Sequence, residues 1–180
     1  MPDLAFMLFL KYGIFNSRQR QKTIVLSPTK DSYTNQNSPT TNYGTSTEIA
    51  TNIEDYGRAY IGFNIDIPAG STIVSATLQL YRITGSAGQG QARRVIEDWE
   101  ELTVVHNNRP NYTITGQSPS VALPGEGFYE FDIADIVNAW VNDGAANYGV
   151  LIAELADSSS YKSKEDSTST RRPKLTIVYQ

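Results

Sequence analysis

The sequence predicts an all-β fold: a β-sandwich over 23–180 with one short α-helix over about 132–142, preceded by an N-terminal arm over 1–22. Three observations predict it. Apolar and polar residues alternate with period two through two long stretches, as half-buried strands require. Turn chemistry such as Pro68-Ala69-Gly70 and Asn142-Asp143-Gly144 punctuates the chain, and one convincing segment carries helical periodicity. The composition, 39% apolar and 19% charged with 11 Tyr and 13 Gly, is that of a β protein with polar loops, and 180 residues suffice for one sizeable core.

The arm differs from everything after it. Every residue from Leu4 to Leu10 is apolar, Tyr12, Ile14 and Phe15 extend the bias, and Arg18, Arg20 and Lys22 follow. A secretory signal has the opposite order of charge and apolar run. A membrane span needs roughly 20 apolar residues, which this run does not reach, so no span is expected. At period two Leu4, Phe6, Leu8, Leu10, Tyr12 and Ile14 share a face, and at helical period Leu4, Met7, Leu8 and Phe15 nearly do. Gly13 and the Phe content favour the extended reading. Such an arm covers the domain's own core, inserts into another subunit or associates with a membrane surface, and in the second case Leu4, Phe6, Leu8, Phe9 and Leu10 form the anchor.

Within the sandwich, Thr23 to Leu26 is a strand closed by Ser27-Pro28, and Lys30 to Thr47 is expected as a long surface loop. Ala59, Ile61, Phe63 and Ile65 alternate with Arg58, Tyr60, Gly62 and Asn64 in a half-buried strand. After the Pro68-Ala69-Gly70 turn, Val74, Ala76, Leu78 and Leu80 are expected to face inward, with Ser75, Thr77, Gln79 and Tyr81 outward. Gly85 to Gly90 reads as a flexible loop; no Lys-Ser/Thr pair follows to make it a phosphate cradle.

Arg93 to Ile96 forms a further strand leading into Glu97-Asp98-Trp99-Glu100-Glu101. Adjacent strand residues point to opposite faces, so these carboxylates read as a solvated acidic turn around a core Trp99, not as a general acid–base pair. His106, the only histidine, lacks the partners for a triad or a zinc site. Asp132 is placed to cap a helix whose Ile133, Ile136, Val137, Trp140 and Val141 make one apolar stripe, with Trp140 in the core. Phe128 to Phe131 and Gly149 to Glu154 flank that helix as strands. Asp157 to Thr170 is a Ser/Thr-rich connection not expected to pack a core, and Lys174 to Tyr179 is a last strand deep in a sheet.

The net charge of −4 argues against a polyanion, so nucleic acid is not an expected partner. The absence of Cys removes disulfides, thiol nucleophiles and thiolate metal sites. Asp31, Asp55, Asp66 and Asp157 are available for a structural Ca²⁺, but no EF-hand spacing is present and no metal or other cofactor is assigned.

A series of short segments in fixed order carries a family resemblance: Asp31-Ser32-Tyr33, Asn42-Tyr43-Gly44, Arg58, and Pro68 to Ile73 with Ser75 to Tyr81. Trp99 to Val104, Asn107-Asn108-Arg109-Pro110, Phe131 to Trp140 and Arg172-Pro173-Lys174-Leu175 complete it. Over about 23–180 the chain resembles the DNRLRE domain family, also classed as a carbohydrate-binding module family. The resemblance implies a jelly-roll sandwich, non-catalytic and accessory, with some members binding polysaccharide. His106 stands where that family usually has a second Trp.

Family members usually sit beside a signal peptide or within long chains, whereas this domain stands behind an apolar arm. The expectation from that contrast is a homo-oligomeric structural protein on a virion surface, a decoration, cement or fibre-associated protein docked on capsid or tail subunits. The alternative is an extracellular or cell-surface carbohydrate-binding module, with Tyr56, Tyr81, Tyr112 and Tyr161 as candidates to stack on sugar rings of a surface polysaccharide. No enzyme is expected in either case.

Overall fold

In the computed structural model, residues 20–52, 56–155 and 158–180 are described. The anchor residues Leu4, Phe6, Leu8, Phe9 and Leu10, and the carboxylates Asp55 and Asp157, lie outside them.

Among the described residues, twelve strands form two six-stranded antiparallel sheets packed as a β-sandwich with one short α-helix. The first sheet holds β1 (Lys22–Leu26), β3 (Glu48–Thr51), β5 (Ile73–Gly85), β9 (Gly127–Asp132), β11 (Ser159–Lys162) and β12 (Lys174–Tyr179). The second holds β2 (Lys30–Asn35), β4 (Gly57–Gly62), β6 (Gly88–Val95), β7 (Tyr112–Thr113), β8 (Val121–Leu123) and β10 (Val150–Glu154). β5 is the spine of the first sheet. Arg82 pairs with Gly127 of β9 on one edge and with Tyr161 of β11 on the other, and β12 follows β11 along that second edge. The outermost pair, β1 on β12, sets Lys22 opposite Tyr179, which itself faces Ile73 at the start of β5.

The expected alternation holds where the ladder is regular. Ala76, Leu78 and Leu80 are fully buried between the sheets with Ile61, Phe131, Ile152 and Ile177. Each of the Leu, Ile and Phe side chains among them stabilises the fold by about 1.5–3 kcal/mol through burial. Val74 breaks the expectation at 44% exposure. The register skips from Ser75 opposite Val178 to Ile73 opposite Tyr179, so a bulge leaves Val74 unpaired and turned outward.

Four further expectations are corrected. Lys30–Asn35 is a strand, not part of a surface loop, with Asp31, Ser32 and Thr34 buried. β4 is buried on both faces, because the 96–111 segment covers its outer side: Tyr60 packs there with Val95, Trp99, Val104 and Leu151 in a second small core. Trp99 is held in that core by its Nε1–H donating to Tyr148 O at 2.8 Å. The supposed loop at 85–90 shrinks to Ser86 and Ala87, the crossover from β5 in one sheet to β6 in the other. Finally, the connection after 157 contains β11, whose Ser159 and Tyr161 are buried.

The helix α1 (Ala134–Val141) packs on the core with Ile136 and Val137 buried and Trp140 and Val141 against the same cluster. Asp132 Oδ1 accepts from Ala134 N–H at 3.0 Å, so it serves the helix start from the last residue of β9. Among the described residues no helix is long and apolar enough to cross a membrane.

Candidate functional site

At the end of the sandwich where β5 meets β11, a cleft of about 180 Å³ opens between the two sheets. β2 supplies Tyr33 and Asn35, which the pleat places on one face of the strand; Asn52, Tyr56, Ser158 and Ser160 contribute from beside β3, β4 and β11. Tyr56 is 46% exposed, while Tyr33 is stacked on Tyr43 with ring centroids 4.1 Å apart. Thr51, Asn52 and Gly57 also line a second depression of about 240 Å³, so the two adjoin. This second one holds Arg58, Arg93 and Tyr112, with both guanidinium groups over the tyrosine ring at 4.9 and 5.2 Å. Arg93 also donates to the Tyr112 hydroxyl at 3.2 Å. Together they form an open, elongated surface of aromatic rings, amides, hydroxyls and cations. Sugar recognition uses that chemistry: C–H faces on aromatic rings and ring hydroxyls on polar side chains.

The four tyrosines expected to meet sugar separate in space. Tyr56 and Tyr112 fall in the two adjoining depressions. Tyr81 lies on the outer face of the first sheet, its hydroxyl donating to Glu126 at 2.6 Å, with Phe128 edge-on at 4.8 Å and Arg171 over its ring at 4.5 Å. Tyr161 is a correction. It is 0% exposed inside the sandwich, and its hydroxyl donates to Glu154 Oε1 at 2.7 Å. Burial, with the Glu154 carboxylate beside it, pushes this phenol far above the usual tyrosine range. A ring enclosed in this way has no face open to a ligand.

Among the described residues one group has metal-ligand spacing: carboxylate oxygens of Asp31, Glu101 and Glu165 lie within 4.8 Å of one another. Of the four aspartates considered from sequence, Asp31 belongs to this group and Asp66 does not. Three carboxylates suit a hard cation such as Ca²⁺, yet a protein cation is already there. Lys164 Nζ contacts Glu101 Oε1 at 3.1 Å and also bonds Glu165. The Lys164 backbone N–H donates to Asp31 Oδ2 at 2.7 Å, and the Asp31 N–H donates to Glu101 Oε1 at 2.7 Å. Burial pushes the Asp31 carboxyl up to about 8; the Lys164 N–H opposes that rise and the Glu165 carboxylate adds to it.

Sequence reasoning missed Tyr33, Asn35, Asn52, Ser158 and Ser160. The one local signal was the alternation within Asp31 to Asn35, hidden because the strand's buried side chains are polar.

A family model for carbohydrate-binding module family 96 matches residues 22–179. The chain belongs to carbohydrate-binding module family 96. The match spans the whole described sandwich, and it meets the sequence resemblance at the level of a carbohydrate-binding module family, without carrying the DNRLRE name. It favours the carbohydrate-binding alternative and gives no support to a virion or to an assembly of subunits. No curated protein matches this family 96 chain.

Proposed function

We propose that the chain is a non-catalytic module that binds a polysaccharide in the paired depressions around Asn52, at an extracellular or cell-surface location. The observation that carries this reading is the exposed Tyr56 ring set among Asn35, Asn52, Ser158 and Ser160 in a cleft of a family 96 sandwich. Tyr56 supplies a stacking face, the amides and hydroxyls take the equatorial hydroxyl groups, and Arg58 and Arg93 beside Tyr112 add positive charge to the adjoining half. The apolar residues Leu4, Phe6, Leu8, Phe9 and Leu10 are the proposed means of attachment to a neighbouring protein.

Affinity electrophoresis against a panel of neutral and acidic polysaccharides tests the binding. Wild type is expected to be retarded by at least one of them, and Tyr56→Ala to lose about 1–3 kcal/mol of affinity, the usual worth of an aromatic stacking platform. A panel in which nothing retards the wild type removes the reading.

A further inference from the structure

The largest fully buried side chain in the described structure is a cation, Arg82. It follows Ala76, Leu78 and Leu80 on the inward face of β5, at a position where the period-two pattern calls for another aliphatic residue. A guanidinium with 0% exposure is costly unless its donors are used, and here they are. Nε–H donates to Ser159 Oγ at 2.7 Å, one terminal nitrogen to Leu123 O at 3.2 Å and Gly125 O at 3.1 Å, and the other to Ser86 O at 2.6 Å. One side chain thereby ties together β11, the β8–β9 turn and the Ser86–Ala87 crossover between sheets.

One of these partners, Ser159, lies directly on the cleft, and Ser86 follows the lining residue Gly85 in sequence. Thr84, Gly85, Ser158, Ser159 and Ser160 all line the first depression, and Glu154 lines the second. Ser159 also hydrogen-bonds the Tyr161 phenol, which donates to Glu154, so Arg82, Ser159, Tyr161 and Glu154 form one continuous buried network beneath both halves. Gly85 belongs to the same arrangement. Its φ of +144° is left-handed, and a Cβ there would collide with the Arg82 guanidinium and with Ser158 O. The chain passes this close only because position 85 has no side chain.

We propose that Arg82 is the positioning residue of the glycan cleft, fixing the Thr84–Gly85 wall, through Ser86 beside it, against the Ser158–Ser160 wall in the geometry that receives sugar. The proposal rests on the carbohydrate-binding reading above. Arg82 touches no ligand itself; it acts through the hydroxyls and main chain it holds, and binding groups must stay within roughly 0.5 Å of their productive positions to be effective.

The test uses the full chain with Arg82→Lys, which keeps the charge and loses the fork, and Ser159→Ala, which removes one network member from a small side chain. Ile177→Ala is the control: Ile177 pairs with Ala76, nine residues and roughly 30 Å along β5 from Gly85, and its loss destabilises the core without touching the cleft. Affinity is measured by titration calorimetry on the polysaccharide that retains wild type, below the melting temperature of every variant. Arg82→Lys and Ser159→Ala are expected to weaken binding about tenfold or more, while Ile177→Ala binds like wild type despite an equal or larger loss in Tm. Wild-type affinity in Ser159→Ala, or a loss in Ile177→Ala that matches it, overturns the proposal; should Arg82→Lys fail to fold, Ser159→Ala decides it. Amide hydrogen exchange separates this from the functional reading. If wild type binds no glycan, that reading falls, and faster exchange at 84–87 and 158–160 in Ser159→Ala but not in Ile177→Ala alone decides whether the network holds these walls.

Discussion

Replacing Asp31 by Asn is expected to make the protein more stable, and increasingly so as the pH rises. Asp31 is 1% exposed, and its carboxyl is raised from 3.8 to about 8 by burial and by the Glu165 carboxylate. A folded-state value above the unfolded one means that the native protein holds this proton more tightly than the unfolded chain. The stabilisation it gives is therefore complete below about pH 4 and is lost progressively as pH rises through about 8. Each unit of offset corresponds to about 1.4 kcal/mol. Movement of Lys164 and water reaching the partly exposed Glu101 and Glu165 offset part of the total, which leaves about 2–4 kcal/mol at pH 8. Asn has the same shape, still accepts from the Lys164 N–H, and adds a donor facing two carboxylates. Urea denaturation of both proteins at pH 4, 6 and 8, with EDTA to remove divalent cations, measures the difference. The variant should gain at pH 8 and match wild type near pH 4. A wild-type protein that grows more stable from pH 5 to 8, with Asp31→Asn weaker throughout, would refute the electrostatic argument.

Two other substitutions probe the frame that carries the site. Gly149→Ala places a Cβ against Ile61 O of β4 at a left-handed φ of +86°, and is expected to cost about 2–3 kcal/mol in thermal melts; an unchanged Tm would contradict the close approach. Trp99→Ala empties the small core beneath the 96–111 segment and leaves Tyr148 O without its donor. It should cost about 3–5 kcal/mol in urea titrations, against under 1 kcal/mol for a Trp in a solvated turn.

Much of the architecture was readable in the chain because its signals are local. Ala76 to Tyr81 alternates cleanly, Ile133 to Val141 has a helical stripe, and Lys174 to Tyr179 forms a strand inside a sheet as expected. The failures share a cause. β2 and β11 bury Asp31, Ser32, Thr34 and Ser159, so hydropathy disguised both strands as loops. Val74 faces outward because of a bulge in the partner pairing, which its own neighbours do not encode. Tyr56 and Tyr161 are the same residue type in similarly polar stretches, and only the packing of β11 between β3 and β5 decides that one is open and the other enclosed. The cleft itself draws two or three residues from each of β2, β3, β5 and β11, strands far apart in sequence, so no motif announces it. Arg82 was passed over too, although an arginine continuing the aliphatic alternation of Ala76, Leu78 and Leu80 is a local signal.

The pairing of Lys22 with Tyr179 at the Ile73 end of β5 gives the module a polarity. Both ends of the sandwich's chain emerge at one pole, while Gly85 and the cleft lie twelve residues along the same strand, roughly 40 Å away. A partner joined at either end of the sandwich would be held at the far side from the proposed glycan cleft. Under the proposed function, tethering and recognition would then not obstruct each other, and the module could be spliced between unrelated bodies as a spacer that presents its cleft outward.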